Sequence, residues 1–259
     1  MSRVPLIGVL ALQGGFEAHA RMLRGLGAEV REVRVPRDLE GIDALVIPGG
    51  ESTTMTLGIA REGLAEPIRA LAAPAADGRS DEPGGGDGDR GEVDEHRGEV
   101  DGHRGGVDGH RGEVDGHRGE VDGHRGGGIP VLGSCAGLIM LDREHLGLMD
   151  MRAQRNAFGR QIHSFEADVE LRGIGGPPLR GVFIRAPWIA EHGPRVEILA
   201  ELEGHPIAAR EGDLIVVAFH AELTDDVRVH RLLLDAVARR RAGVRARDRA
   251  AVCGEPHGS

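Results

Sequence analysis

The stretch VLGSCAGLIM, Val131–Met140, places one of the two cysteines of the chain between an apolar run and a run of helix-forming residues. Ile129–Leu132 predicts a short buried strand, and Ala136–Leu141 predicts the start of a helix. Cys135 is therefore expected at a strand–turn–helix corner, just beyond the carboxyl end of a strand. Such a corner raises its central side chain above an α/β sheet, on the side where ligands bind.

Two glycines support a chemical role for Cys135. Gly133 and Gly137 leave room for the corner and complete the pattern G-x-nucleophile-x-G, with cysteine in place of serine. The N-terminus of the following helix favours the thiolate, and the backbone N–H of Ala136 is placed to face a developing oxyanion. The alternative is a buried, inert cysteine that packs as a small apolar residue.

A second motif supplies a base for this nucleophile. The stretch VVAFHAELTDD carries His220 and Glu222 at the end of an apolar strand. One residue separates them, so both side chains lie on the same face of an extended segment. Glu222 is then able to orient the His220 ring while the ring faces Cys135, which predicts a triad in the order Cys, His, Glu.

Outside residues 77–127, strands alternate with helices, which predicts an α/β fold with an open, mostly parallel sheet and helices on both faces. The predicted strands are Leu6–Leu12, Glu29–Val35, Ala44–Ile47, Ile129–Leu132, Ala167–Leu171, Val182–Ile184, Val196–Ala200 and Leu214–Phe219. The predicted helices follow Phe16, cover Thr54–Ala72, begin at Ala136 and cover Val227–Arg241.

Residues 77–127 form a low-complexity insertion. Five heptads of the GEVDGHR type cover Gly91–Arg125, each with a single valine and at least one glycine. A coiled coil needs two apolar positions per heptad and helix-forming residues, so we expect a disordered, solvated linker. Weak metal affinity of the repeated Asp and His residues, or a partner-binding element, are the alternatives. The segment from Asp77 to Gly128 has 15 acidic residues and 7 arginines, and so carries most of the net charge of −10.

The remaining composition excludes several classes of protein. The apolar run near the N-terminus is too short for a membrane span, and two distant cysteines imply no disulfide framework, so we expect a cytoplasmic protein without a membrane segment. The chain has no dinucleotide fingerprint and no cluster of metal ligands in its core, so no cofactor is predicted. We interpret the arginine-rich end, residues 242–259, as a flexible tail with an exposed Cys253 rather than a nucleic-acid-binding segment.

Six motifs together closely resemble the glutaminase subunits of pyridoxal 5'-phosphate synthase complexes, within the class I, triad-type glutamine amidotransferases. They are LALQGG, PGGEST, GSCAGLI, QRNAFGRQ, FIRAP and FHAELT. The resemblance implies a single glutaminase domain made of residues 1–76 and 128–241. It also implies hydrolysis of L-glutamine through a thioester and delivery of the ammonia to a synthase subunit. Another cysteine-elbow amidotransferase, an intracellular cysteine hydrolase and a non-enzymatic scaffold are the competing interpretations.

The resemblance also implies the role of each site residue. Cys135 is the nucleophile, His220 the base and acid, and Glu222 the residue that orients His220. Backbone N–H groups of Gly50 and Ala136 form the oxyanion hole. The implied glutamine pocket consists of Gly50, Glu51, Ser52, Arg155, Ile184 and Arg185.

For Glu51, Arg155 and Arg185, the alternative is a salt-bridge network that only shapes the site. Gln13 is expected near the oxyanion hole or a partner surface, and Arg160 and Gln161 have no assigned role. The family usually has proline where this chain has Ala221, so we expect a looser loop with the chemistry retained.

Overall fold

The computed structural model of the chain describes residues 3–73, 128–158 and 164–252, and these residues belong to one compact unit. The predicted heptad insertion at 77–127, Arg160, Gln161 and Cys253 lie outside the described residues. Among the residues that are described, no helix is both long enough and apolar enough to cross a membrane.

A seven-stranded sheet forms the centre of this unit. Its strands are β1 (Leu6–Leu10), β2 (Glu29–Val33), β3 (Ala44–Ile47), β4 (Val131–Ser134), β9 (Glu197–Leu202), β10 (His205–Glu211) and β11 (Leu214–Val217). The spatial order is β2-β1-β3-β4-β11-β10-β9. The first five strands in this order are parallel, and β10 and β9 continue the sheet antiparallel. Two further pairs, β5 (Met151–Gln154) with β8 (Trp188–His192) and β6 (Ser164–Val169) with β7 (Leu179–Ile184), are antiparallel.

The helices are α1 (Phe16–Gly25), α2 (Ser52–Arg61), α3 (Ala65–Ala72), α4 (Ala136–Leu141) and α5 (Arg228–Val252). Single 3₁₀ turns cover Pro36–Leu39 and Ala221–Leu223. The predicted open, mostly parallel sheet with accompanying helices is confirmed.

Burial follows the position of each strand in the sheet. The inner strands β3 and β4 are buried at every position, as expected for parallel strands covered on both faces. The outer strand β2, with sequence EVREV, exposes polar side chains because only β1 pairs with it. Continuous apolar runs in the sequence therefore located the inner strands of the sheet correctly.

Several predicted boundaries were wrong. The single helix predicted over Thr54–Ala72 is two helices, because the chain turns at Gly63 with a positive φ of 66°. The last helix continues to Val252, past its predicted end at Arg241 and into the segment interpreted as a flexible tail. Strands β5, β8 and β10 were not predicted; they are short or rich in polar residues, and each is held by antiparallel pairing.

The topology brings four chain segments to one edge of the sheet. The residues that follow β1, β3, β4 and β11 all leave from the carboxyl ends of parallel strands. These segments contain the LQGG, PGGEST, SCAG and FHAELT motifs, in that order along the chain. The sheet therefore gathers at one edge motifs that are far apart in the sequence.

Candidate active site

Cys135 lies at a tight corner between β4 and α4. Its φ of 49° and ψ of −103° are rare for a residue with a side chain. This strained backbone conformation is stabilised by the contacts of the surrounding structure. The Cys135 N–H donates to the carbonyl of Val217 at 2.8 Å, which ties the corner to β11. Only 5% of the residue is exposed, so the side chain is largely surrounded by protein. This corner is the predicted elbow.

Three glycines are required by close packing around that corner. A Cβ on Gly133 would lie 2.6 Å from the carbonyl oxygen of Gly137, and a Cβ on Gly137 would overlap the carbonyl oxygen of Ile47. A Cβ on Gly49 would overlap the His220 ring and lie 3.2 Å from Cβ of Cys135. The backbone after β3 therefore packs directly against the cysteine and the histidine.

His220 and Glu222 form the predicted pair. Nδ1 of His220 lies 2.7 Å from Oε1 of Glu222, and the His220 N–H donates to the carbonyl of Val182 at 2.8 Å. Burial of the ring opposes its protonation, but hydrogen bonds to Cys135 and Glu222 outweigh this effect and raise the pKa of His220 to about 10. The His220 ring is hydrogen-bonded to Glu222, and His220 and Cys135 both pack against Gly49, so the three predicted triad residues lie together.

The carboxylate of Glu222 is buried, with 6% of the residue exposed. Burial disfavours its charged form, but the rings of His19 and His220 hold the pKa of Glu222 well below its usual range. Its second oxygen, Oε2, accepts from the hydroxyl of Ser134 at 3.2 Å. Glu222 is therefore ionised, and its contacts with neighbouring side chains fix it beside His220.

Gln13 holds the backbone that follows Gly50. Its amide nitrogen donates to the carbonyl of Glu51 at 2.9 Å, and its amide oxygen accepts from the Glu51 N–H at 3.2 Å. A Cβ on Gly50 would overlap this amide, so the position accepts only glycine. Gln13 thus lies beside the predicted oxyanion-hole residue Gly50, as the sequence suggested.

The side chain of Glu51 acts as the N-cap of α2. Its oxygens accept from the N–H groups of Thr53 at 2.9 Å and Thr54 at 2.6 Å, and from the Thr54 hydroxyl at 2.7 Å. The hydrogen bonds from the Thr54 hydroxyl and from the two N–H groups lower the pKa of Glu51 to about 2. Arg155 lies 3.6 Å from the same carboxylate and donates to Thr53 at 3.1 Å. Glu51 and Arg155 therefore take part in a polar network of the kind that the sequence analysis gave as the alternative to direct contact with a ligand.

The remaining predicted pocket residues surround the same edge. The Ile184 carbonyl accepts from the Cys135 thiol at 3.8 Å, while 40% of Ile184 is exposed. Arg185 has a positive φ of 46°, a second strained residue beside the thiol. Ser52 is the buried first residue of α2. Ala136 is the first residue of α4, where helix geometry leaves the backbone N–H without an intrahelical partner.

Sequence reasoning missed two buried histidines behind Glu222. Nε2 of His19, on α1, lies 3.2 Å from Oε2 of Glu222, and Nδ1 of His19 lies 2.8 Å from Nε2 of His230, on α5. Both side chains are fully buried. The available signal was a histidine on the apolar face of each helix, beside Ala20 and Leu23 in α1 and beside Leu233 and Val237 in α5.

Within residues 3–73, 128–158 and 164–252, no group of three or more His, Cys, Asp or Glu side chains could hold a metal ion.

An open parallel sheet with a Cys–His–Glu chain at its carboxyl edge defines a protein of the class I glutamine amidotransferase type. The chain belongs to the SNO glutamine amidotransferase family, whose model matches residues 9–77 and 123–239.

Individual relatives agree with this assignment. The chain is 39% identical to the pyridoxal 5'-phosphate synthase subunit PdxT of Mycolicibacterium vanbaalenii, over 90% of this chain and 98% of the relative. It is 40% identical to the subunit of the same name from Clavibacter sepedonicus, over 90% and 91% of the two chains. A crystal structure of a glutamine amidotransferase superposes with a TM-score of 0.65 at 32% identity, covering 90% of this chain and 98% of that one.

Proposed function

We propose that the chain hydrolyses L-glutamine to L-glutamate and ammonia and delivers the ammonia to a pyridoxal 5'-phosphate synthase subunit. The observation that carries this proposal is the Cys135–His220–Glu222 chain at the carboxyl edge of the sheet. Family membership and relatives named as PdxT subunits of that synthase supply the substrate and the acceptor.

In the first half of the reaction, the thiolate of Cys135 attacks the side-chain carboxamide carbon of glutamine. Negative charge develops on the carbonyl oxygen, and backbone N–H groups of Gly50 and Ala136 stabilise it. The carbon–nitrogen bond then breaks, and the protonated ring of His220 gives its proton to the departing nitrogen, which leaves as ammonia. The product is a thioester between Cys135 and the glutamyl group.

In the second half, His220 accepts a proton from water, and the resulting hydroxide attacks the thioester carbonyl. The carbon–sulfur bond breaks, glutamate leaves and the thiolate of Cys135 is restored. Glu222 stabilises the protonated His220 ring in both halves and keeps it oriented toward the thiol. The ionised state of Glu222 is therefore part of the chemistry.

The glutamine pocket is proposed to involve Gly50, Glu51, Ser52, Arg155, Ile184 and Arg185. Arg155 and Arg185 are suited to bind the α-carboxylate of the substrate. Glu51 already caps α2, so its contribution is to hold the start of that helix, and with it the Gly50 backbone, in place. This role requires no direct contact between the Glu51 side chain and glutamine.

The proposal is tested first with cysteine variants. Cys135→Ala should abolish ammonia release from glutamine in the presence of the synthase subunit, whereas Cys253→Ala should retain the parent rate. Ammonia is measured by a coupled glutamate dehydrogenase assay that uses a common preparation of the synthase subunit. Equal loss in both variants, or parent-like activity of Cys135→Ala, would overturn the assignment of the nucleophile.

Dependence on the partner is tested by titration. The isolated chain should release little ammonia, and adding the synthase subunit should increase the rate strongly. Docking is expected to orient the Gly49–Gly50 peptide so that its N–H points into the oxyanion hole. Full activity of the isolated chain would contradict this coupling.

A further inference from the structure

The buried histidines behind Glu222 form a continuous chain with the catalytic residues. From the thiol inward, the order is Cys135, His220, Glu222, His19 and His230. Oε1 of Glu222 faces His220 at 2.7 Å, and Oε2 faces His19 at 3.2 Å. The two oxygens of one carboxylate therefore contact a catalytic ring on one side and a buried ring on the other.

The hydrogen-bond pattern indicates which ring nitrogens carry protons. A lone pair on Nε2 of His19 would face the Glu222 carboxylate at 3.2 Å, which is repulsive, so this nitrogen carries a proton. This N–H approaches the carboxylate at an angle outside ideal hydrogen-bond geometry, so the contact is a close polar approach rather than a full hydrogen bond. Nδ1 of His19 lies 2.8 Å from Nε2 of His230, so one of these two nitrogens donates to the other.

The far end of the chain agrees with this assignment. Nδ1 of His230 makes no hydrogen bond to any residue that the structure describes. An unpaired buried lone pair is easier to accommodate than an unpaired buried N–H, so this nitrogen is the unprotonated one. Burial lowers the pKa of His230 to about 3, which keeps the ring neutral, so its other nitrogen, Nε2, carries the proton and donates to Nδ1 of His19. All donors of the pair thus point toward Glu222.

We propose that His19 and His230 are positioning residues of the triad: His230 donates to His19, His19 directs its Nε2–H at Oε2 of Glu222, and the carboxylate is thereby held, ionised, against His220. This inference rests on the proposed glutaminase function. It assigns a function to two buried polar side chains on α1 and α5, helices that contribute none of the predicted site residues. Through Glu222, His19 and His230 would orient the His220 ring, just as carboxylates hydrogen-bonded to metal-bound histidines orient those rings.

Removing His19 should therefore shift the acid limb of the pH profile of Cys135 reactivity. The titratable groups around the Glu222 carboxylate are His220 on its own segment and His19 on α1, with Cys135 and His230 one step further. Without the His19 donor, the buried carboxyl group accepts a proton more readily, and the protonated His220 ring loses its countercharge. The thiolate–imidazolium pair then forms only at higher pH.

The test uses the full chain with Cys253→Ser, so that Cys135 is the only thiol. The rate of Cys135 alkylation by iodoacetamide is measured from pH 4 to 9, and kcat and KM for glutamine are measured with the synthase subunit. The variants are His19→Leu, which removes the donor, His19→Gln, which keeps an amide N–H in its place, and His230→Leu. The control is His145→Leu, because His145 forms a comparable pair, Nδ1 to Oδ1 of Asp142 at 2.7 Å, with no catalytic partner.

We expect His19→Leu to shift the acid limb of the alkylation pH profile upward by about one pH unit. It should also lower kcat about ten-fold and leave KM unchanged. A ten-fold loss is the lower end of the effect of removing a residue that hydrogen-bonds a metal-bound histidine. His19→Gln should restore most of the parent acid limb and most of the parent kcat. His230→Leu should shift the acid limb upward by a smaller amount than His19→Leu. His145→Leu should leave the limb in place.

Two results would overturn the proposal. One is an acid limb at the parent position in folded His19→Leu. The other, decisive if His19→Leu does not fold, is an unshifted limb in His230→Leu. Alkylation requires no glutamine, so a parent that alkylates normally but releases no ammonia would contradict the proposed function and not this inference.

Discussion

The two ends of the central sheet differ in how much change their backbone accepts. At the carboxyl end, the backbone of Gly49, Gly133 and Gly137 packs against other backbone or against the side chains of His220 and Cys135. At the amino end, the chain leaves α3 and returns into β4, and the Ile129 N–H donates to the Leu71 carbonyl at 2.7 Å. Leu71 and Ile129, which flank the insertion in the described part of the chain, thus meet at the opposite end of β4 from Cys135.

Backbone strain is distributed in the same way. Of the four non-glycine residues with positive φ in the described part of the chain, Cys135 is the proposed nucleophile, and Asn156 and Arg185 lie in adjoining segments. Those segments are linked by the Ala157 N–H donating to the Ala186 carbonyl at 3.0 Å. Strain and dense packing therefore concentrate at the end where chemistry is proposed, and an insertion is accepted at the other.

The largest expected effect comes from adding one methyl group at the carboxyl end of the sheet. Gly137→Ala should remove glutaminase activity and Cys135 alkylation and destabilise the fold by about 1–3 kcal/mol, because its Cβ would overlap the Ile47 carbonyl oxygen. Urea denaturation and the ammonia assay measure both effects.

The matched control is Gly243→Ala in α5, where an added Cβ meets nothing within 4 Å. It should gain about 0.5–1 kcal/mol from helix propensity. If Gly137→Ala keeps parent activity, the carboxyl end is more tolerant than its packing indicates.

The pH dependence of stability gives the next largest effect. The pKa of His220 is raised to about 10 in the folded chain, from the ordinary histidine value of 6.5. A raised pKa contributes stability that is fully present below pH 6.5 and is lost as the pH rises through about 10. The melting temperature of the parent should therefore exceed that of His220→Gln most at pH 6 and least at pH 10. A constant difference across this range would show that the ring is not held in its protonated form.

Ala221→Pro should give a smaller, stabilising effect. Ala221 begins the 3₁₀ turn Ala221–Leu223, a position where proline replaces no intrahelical hydrogen bond. Proline restricts the unfolded chain, so we expect a gain of about 0.4–1 kcal/mol in urea unfolding with activity retained. Ala221 is buried, and a clear loss of stability would show that its surroundings lack room for the ring.

The smallest effect is expected at the amino end. Replacing residues 77–127 with a short Gly/Ser loop should leave partner-activated ammonia release within a few-fold of the parent, without a lower melting temperature. Loop closure depends only weakly on length, about 0.6 kcal/mol per doubling, and the flanking residues already meet.

A scrambled insertion of the same composition is the control for length and charge. A folded deletion variant that loses activity while the scrambled variant keeps it would show that the insertion contributes to the site or to the complex. Limited proteolysis of the parent should cut within the heptads and leave two associated fragments.

Much of the fold follows from local patterns. The inner strands were located from continuous apolar runs, since residues such as Val46 and Leu132 are buried whichever face they point to. The strands β5, β8 and β10 were missed because sequences such as MRAQ and HPIAARE have no strong period and become strands through antiparallel pairing. The break between α2 and α3 was missed because an isolated glycine within a helical pattern is compatible with either outcome.

The sequence by itself determined the elbow at Cys135 and the His220–Glu222 pair, because short-range geometry requires particular residues at fixed spacing there. The Glu51 cap of α2 is also local, because its partners Thr53 and Thr54 follow directly in the sequence, and only the tertiary structure decided that Arg155, 102 residues away, donates to Thr53 beside it.

The tertiary structure also decided that His19 and His230, 211 residues apart, meet behind Glu222. The reason is physical: a buried polar group takes as partner whatever the fold brings within reach, and that choice depends on the packing of α1 and α5 against the sheet rather than on any local pattern.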